Sequence, residues 1–159
     1  MSTSPETPTR PWIRADRDWP LPLRVERAHL QRLAAWCARW YPLEACGLLV
    51  GRRGLEADHV AAVVPARNVE DERGWDRFVI APDDWLRCEA RARERGLDVL
   101  GAWHSRPAAC ALPSEAHLAA AWEGYVYLVR SCPRGGPGEH RAWRLDGGVF
   151  VEQRLEVRP

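Results

Sequence analysis

The chain has no Cys-x-x-Cys pair, no long apolar run and no excess of either charge. Without a Cys-x-x-Cys motif there is no zinc ribbon and no thioredoxin-type redox centre to look for. No stretch approaches the ~18 apolar residues that cross a bilayer, so the sequence predicts no membrane partner. The 23 basic and 22 acidic residues leave a formal net charge of +1, which gives no reason to expect nucleic acid or an anionic membrane as a partner. Internal repeats and low-complexity segments are missing too.

What remains is an ordinary globular composition, 46% hydrophobic and 28% charged over 159 residues. That length fits one domain, able to bury a core without disulfides or a structural metal. The five cysteines are Cys37, Cys46, Cys88, Cys110 and Cys132, an odd number that leaves at least one unpaired. The first twenty residues are polar and dotted with proline rather than apolar as a signal peptide is. Reduced thiols and a cytoplasmic location are the expectation. Nine tryptophans and an arginine-dominated positive charge read as compositional bias.

The sequence divides into a disordered or loosely docked tail over residues 1–20 and a single domain over 21–159. From Val25 to Trp40, Leu30, Leu33, Ala34, Cys37 and Trp40 recur at helical spacing, and Pro42 stops the run. Cys46 to Gly51 is a wholly apolar strand, and His59 to Val64 and Arg77 to Ile80 read as two more. Pro82-Asp83-Asp84 opens a helix that runs to about Arg95 and stops at Gly96. Leu97 to His104 predicts a strand, Ser114 to Trp122 a helix, and Tyr125 to Ser131 a strand. Arg141 to Leu145 and Val149 to Val157 form a hairpin about Asp146-Gly147-Gly148. The fold class is α/β, a mixed sheet flanked by helices.

The chemistry-bearing stretch is Gly101-Ala102-Trp103-His104-Ser105-Arg106-Pro107 followed by Pro113-Ser114-Glu115-Ala116-His117. A strand delivers one histidine, a short loop follows, and a helix opening at Ser114 carries a second histidine in its first turn. Such a layout aims two imidazoles at one point, as metalloenzymes do for zinc.

Upstream, Tyr41-Pro42-Leu43-Glu44-Ala45-Cys46-Gly47-Leu48-Leu49-Val50-Gly51 resembles the first motif of the JAMM (MPN-type, JAB domain) zinc metalloproteases. That family continues with His-x-His-Pro, then Pro-Ser, two arbitrary residues and an Asp; this chain has His104-Ser105-Arg106-Pro107, Pro113-Ser114 and His117. Asn68, Phe78 and Gly96-Leu97 agree as well, and the likeness covers about residues 23–145, closest to the bacterial single-domain type. It implies a JAMM/MPN-like, cytidine-deaminase-like fold. It further implies a zinc (iso)peptidase acting on the C-terminal tail of a small ubiquitin-like or sulfur-carrier protein. In such a site zinc lowers the pKa of its bound water towards ~7 and a carboxylate moves the proton. By likeness Glu44 is that acid/base, Ser114 stabilises the oxyanion, and His104 and His117 are the metal ligands.

Two positions depart from the family. Arg106 stands where a second histidine belongs, and a guanidinium cannot ligate a metal. Held 4 Å from a dication it would be repelled by roughly 8 kcal/mol at an effective dielectric near 20. Arg106 therefore turns away, or the ion is absent. His117 replaces the aspartate. The set is one ligand short, with Cys110 or Cys46 able to supply a thiolate, so zinc is expected at reduced affinity. Two classes follow: a zinc-dependent hydrolase with a remodelled ligand set, or a non-catalytic module of the same fold that binds a protein partner without metal. Plainer roles stand beside these: Glu44 in a surface ion pair, His104 in an ordinary hydrogen bond, Ser114 as an N-cap, and His117 as a surface residue.

Overall fold

Cys46–Arg52 carries six buried residues in seven and takes the centre of the sheet, as an unbroken apolar run must. The structure is a computed structural model describing residues 10–133 and 137–159. Its strands are β1 (Ile13–Asp18), β2 (Leu23–Glu26), β3 (Cys46–Arg52), β4 (Asp58–Ala66), β5 (Asp98–Pro107), β6 (Val126–Cys132), β7 (His140–Asp146), β8 (Val149–Gln153) and β9 (Leu155–Arg158). Three helices accompany them: α1 (Arg27–Trp40), α2 (Pro82–Glu94) and α3 (Glu115–Ala120).

The strands order as β1-β8-β7-β6-β5-β3-β4-β2-β9, with β3 antiparallel to both neighbours and β5 parallel to β6. Only Arg154 separates β8 from β9, yet they lie towards opposite ends of that order. The mixed sheet must therefore curl back on itself. Near this closure Arg144 of β7 meets Asp58 of β4 in a buried ion pair that Gln153 joins at 2.9 Å, with Trp19 against the guanidinium.

Two apolar clusters cover the two faces. One gathers Leu30, Leu33 and Cys37 of α1 with Leu49, Leu100 and Trp103. The other gathers Cys88 and Ala92 of α2 with Leu48, Val50, Ala102 and Val129. Leu48, Leu49 and Val50 alternate between them, as strand geometry requires. Leu49 pairs with Gly101 but Val50 pairs with Val99, so Leu100 is the extra residue of a bulge. After it Trp103 stacks on Trp36 at 5.6 Å on the α1 side, while Ala102, His104 and Arg106 fall on the opposite side. The Trp103 indole donates to the Val64 carbonyl at 3.2 Å, and a Cβ on Gly47 would overlap both groups.

Several sequence readings shift. Ile13–Asp18 is a strand paired in parallel with β8, not part of a loose tail, while residues 1–9 lie outside the described residues. The helix predicted from Val25 starts at Arg27, because Leu23–Glu26 pairs with β4 and β9. Arg77 to Ile80 forms no strand; Ile80 makes one isolated bridge to Asn68. Val149 to Val157 is two strands rather than one. Among the described residues all five cysteines are free, and no helix is long and apolar enough to cross a membrane.

Candidate functional site

Glu44 sits in the turn between α1 and β3, after the cis peptide Tyr41–Pro42. Its backbone is fixed on both sides: its N–H donates to the Gly74 carbonyl at 2.6 Å, and its carbonyl accepts from Asn68 Nδ2 at 3.1 Å. Asn68 Oδ1 also accepts the Glu70 and Val79 amides, at 3.0 and 3.1 Å, so one side chain holds the 69–79 loop over Glu44. From the other direction, Ser105 Oγ accepts the Ala45 amide at 2.8 Å and the Ser105 amide donates to the Ala45 carbonyl at 3.0 Å. Ser105, the arbitrary position of the histidine motif, thereby clamps β5 to the Glu44 turn.

These constraints bring all four candidate residues into one cluster. His104 and Glu44 are fully buried and His117 is 6% exposed. The two imidazole rings lie 4.1 Å apart, and His117 Nε2 is 3.3 Å from Glu44 Oε2. His117 is thus not a surface residue, and Glu44 is not in a surface ion pair. Phe78 covers the cluster, 4.8 Å from His104 and 5.6 Å from His117 between ring centroids. Sequence reasoning saw Phe78 only as part of a pattern; its role as a lid over both rings depends on the fold of the 69–79 loop.

The protonation of His117 follows from its partners. The Ser114 backbone N–H donates to Nδ1 at 2.8 Å, with Ser114 Oγ also 2.9 Å from Nδ1. Ser114 Oγ in turn accepts the His117 amide at 3.3 Å, completing a capping box at the start of α3. A nitrogen that accepts an N–H carries no proton, so neutral His117 bears its proton on Nε2 and donates it to Glu44. Both ring nitrogens are then committed. His104 differs: among the described residues neither ring nitrogen has a partner, and Glu44 Oε1 has none either. Burial, with the Arg106 cation adding, pushes the His104 pKa well below 6.5, so this ring is neutral near pH 7.

Zinc fits this donor set poorly. His117 has no free lone pair, and Arg106, on the strand face of His104, turns its guanidinium onto the Leu112 carbonyl at 2.8 Å. Neither cysteine completes the set. Cys110 is exposed, and the buried Cys46 thiol points to the Ala66 carbonyl at 3.8 Å. Burial, with Glu44 and Asp84 adding, pushes that thiol up to about 12, far from a thiolate ligand. Among the described residues no group of three His, Cys, Asp or Glu is placed to hold a metal ion.

Beside His117 opens a cavity of about 490 Å³, walled by Phe78, Val79, Trp85, Ala116, Trp122 and Tyr127, with Arg77 on its lining. It is the kind of apolar recess, with a few polar groups, that accepts a small molecule or a peptide segment.

Comparison with known proteins agrees with the architecture. A protein from Desulfitobacterium hafniense, solved in solution, is 26% identical with a TM-score of 0.77, over 86% of this chain and 92% of that one. A second solution structure, of a protein from Salinibacter ruber, is 28% identical with a TM-score of 0.62, covering 86% and 90%. No curated protein matched. The family model for prokaryotic homologs of the JAB domain matches residues 26–146, most of the chain and all four clustered residues. The chain belongs to the prokaryotic homologs of the JAB domain.

Proposed function

We propose that this JAB-type domain is a non-catalytic module that binds the extended C-terminal tail of a small ubiquitin-like or sulfur-carrier protein, without zinc. The observation that carries this reading is the commitment of His117: one nitrogen accepts the Ser114 amide and the other donates to Glu44. With Arg106 bonded to the Leu112 carbonyl, only His104 and the free Glu44 oxygen could face a metal, one donor short of the three protein ligands that hold catalytic zinc. The polar cluster then supports the fold around the binding surface. The cavity beside it offers apolar walls to a tail, and Arg77 offers a cation to its terminal carboxylate.

The test is titration of such a carrier, with and without its terminal Gly-Gly, in the presence of chelator. Binding that needs the tail, survives chelation and leaves the carrier intact agrees with the proposal; the absence of tail-dependent binding contradicts it.

A second reading keeps the hydrolase: a zinc-dependent (iso)peptidase with a remodelled site. Three buried polar atoms without partners favour it, namely Glu44 Oε1 and both ring nitrogens of His104. It predicts cleavage after the Gly-Gly that requires added zinc and is lost in both Glu44→Gln and His104→Ala. Intact carrier after long incubation with zinc-loaded protein removes this reading.

A further inference from the structure

Cys37 and Cys132 are 95 positions apart in sequence, yet the fold packs Cys132 of β6 against the core cluster that holds Cys37 of α1. Cys37 lies one turn from the end of α1 on the face that packs on the sheet and is 1% exposed. Cys132 ends β6, the strand beneath α1, half-buried against the apolar cluster that contains Cys37. Both thiols are free, and α1 packs directly on β6 at this end of the sheet.

Cys132 also sits at a structural junction. It pairs with Pro107, next to Arg106, and its carbonyl accepts the Ala108 amide at 3.0 Å. Ala108 has φ of 54°, a left-handed backbone that an alanine adopts only when its surroundings enforce it. The Cys132 end of β6 therefore anchors the loop that leads from Arg106 to Ser114.

We infer that Cys37 and Cys132 form a peroxide-responsive dithiol site, in which Cys132 is the attacking sulfur and Cys37 the resolving one. The Cys132 thiolate attacks one peroxide oxygen and the O–O bond breaks. Cys132 becomes a sulfenic acid, and the departing hydroxide takes up a proton as water. The Cys37 sulfur then attacks the sulfenic sulfur, forming the S–S bond and expelling a second water. Two thiols and one hydrogen peroxide give one disulfide and two waters. The roles follow from exposure: Cys132 is the one that solvent reaches. The disulfide would tie α1 to the β6 end that anchors the Arg106–Ser114 loop.

The sequence makes the test clean, because each of the five cysteines falls in a different tryptic peptide. Reduced full-length protein is treated with hydrogen peroxide, blocked with a maleimide, digested and mapped by mass without reduction. The expected product joins peptides 33–39 and 131–134, lighter by two hydrogens and separated again by dithiothreitol. In Cys37→Ser, dimedone should label Cys132; in Cys132→Ser, Cys37 should stay unlabelled. Circular dichroism checks that both variants fold. Peroxide that modifies exposed Cys110 and leaves Cys37 and Cys132 as thiols overturns the inference, as does dimedone on Cys37 in Cys132→Ser.

Discussion

His117→Ala separates a cap from a buried pair. Two contributions are lost together. The capping box at Ser114 loses one half, worth about 1 kcal/mol by analogy with N-cap removals. Glu44 loses the one partner its carboxylate has among the described residues, at zero exposure. Leaving a buried acceptor without its hydrogen-bond partner costs about 1–3 kcal/mol. The sum, roughly 2–4 kcal/mol, corresponds to a fall in Tm of about 5–15 °C for a chain of this size. Ser114→Ala removes the cap alone and should cost about 1 kcal/mol. Glu44→Leu combined with His117→Ala removes both polar partners and should recover at least half of the loss, since replacing both members with apolar groups approaches neutrality. Urea denaturation of the three variants decides it. If His117→Ala falls no further than Ser114→Ala, or if the double variant is the least stable, Glu44 does not depend on His117 and the protonation assigned to that ring is wrong.

Three further outcomes follow from the same structure. Arg106→His with His117→Asp removes the cation and the committed imidazole together, so it should acquire zinc by equilibrium dialysis, while Arg106→His alone gains far less because His117 remains engaged. His140 is held down to about 4 by burial, with Arg130 adding. A histidine depressed when folded stays neutral there while the unfolded chain takes up the proton. Stability is therefore full above about pH 6.5 and is lost as pH falls towards 4, and His140→Gln should flatten that decline in a pH series of thermal melts. Gly47→Ala places a methyl group into the Trp103 indole and the Val64 carbonyl, in backbone that cannot yield, and should lower the urea midpoint sharply, with tryptophan emission reporting the disturbed ring.

Elements with an apolar run or a clear helical period were legible in the sequence. Cys46–Arg52 and the two long helices emerge within a few residues of their bounds, because local pattern and tertiary position agree there. Ile13–Asp18 was not legible: Ile13 is its one buried residue, so it has no alternation to read and exists through pairing with β8. Leu23–Glu26 continues into a helix and is a strand only by virtue of β4 and β9, which are distant in sequence. That Glu44, His104, Ser114 and His117 would gather in one place was implied by the resemblance of the two motifs. The site's internal chemistry was not. A capping box is signalled by Ser-x-x-Glu, whereas here histidine takes the third place, and the cost of that substitution in free lone pairs appears only with the ring's orientation. Phe78 and Ser105 act through a loop and a strand pairing that no short motif encodes.

The central claim is that this JAB-type cluster holds its shape without zinc, and the most direct measurement is the metal content of the full-length protein. It is purified without chelator, equilibrated with a small molar excess of zinc, freed of unbound ion and assayed by plasma emission. Zinc is expected well below one ion per chain and unchanged by His104→Ala. One zinc per chain, lost in His104→Ala and in His117→Ala, would contradict that claim.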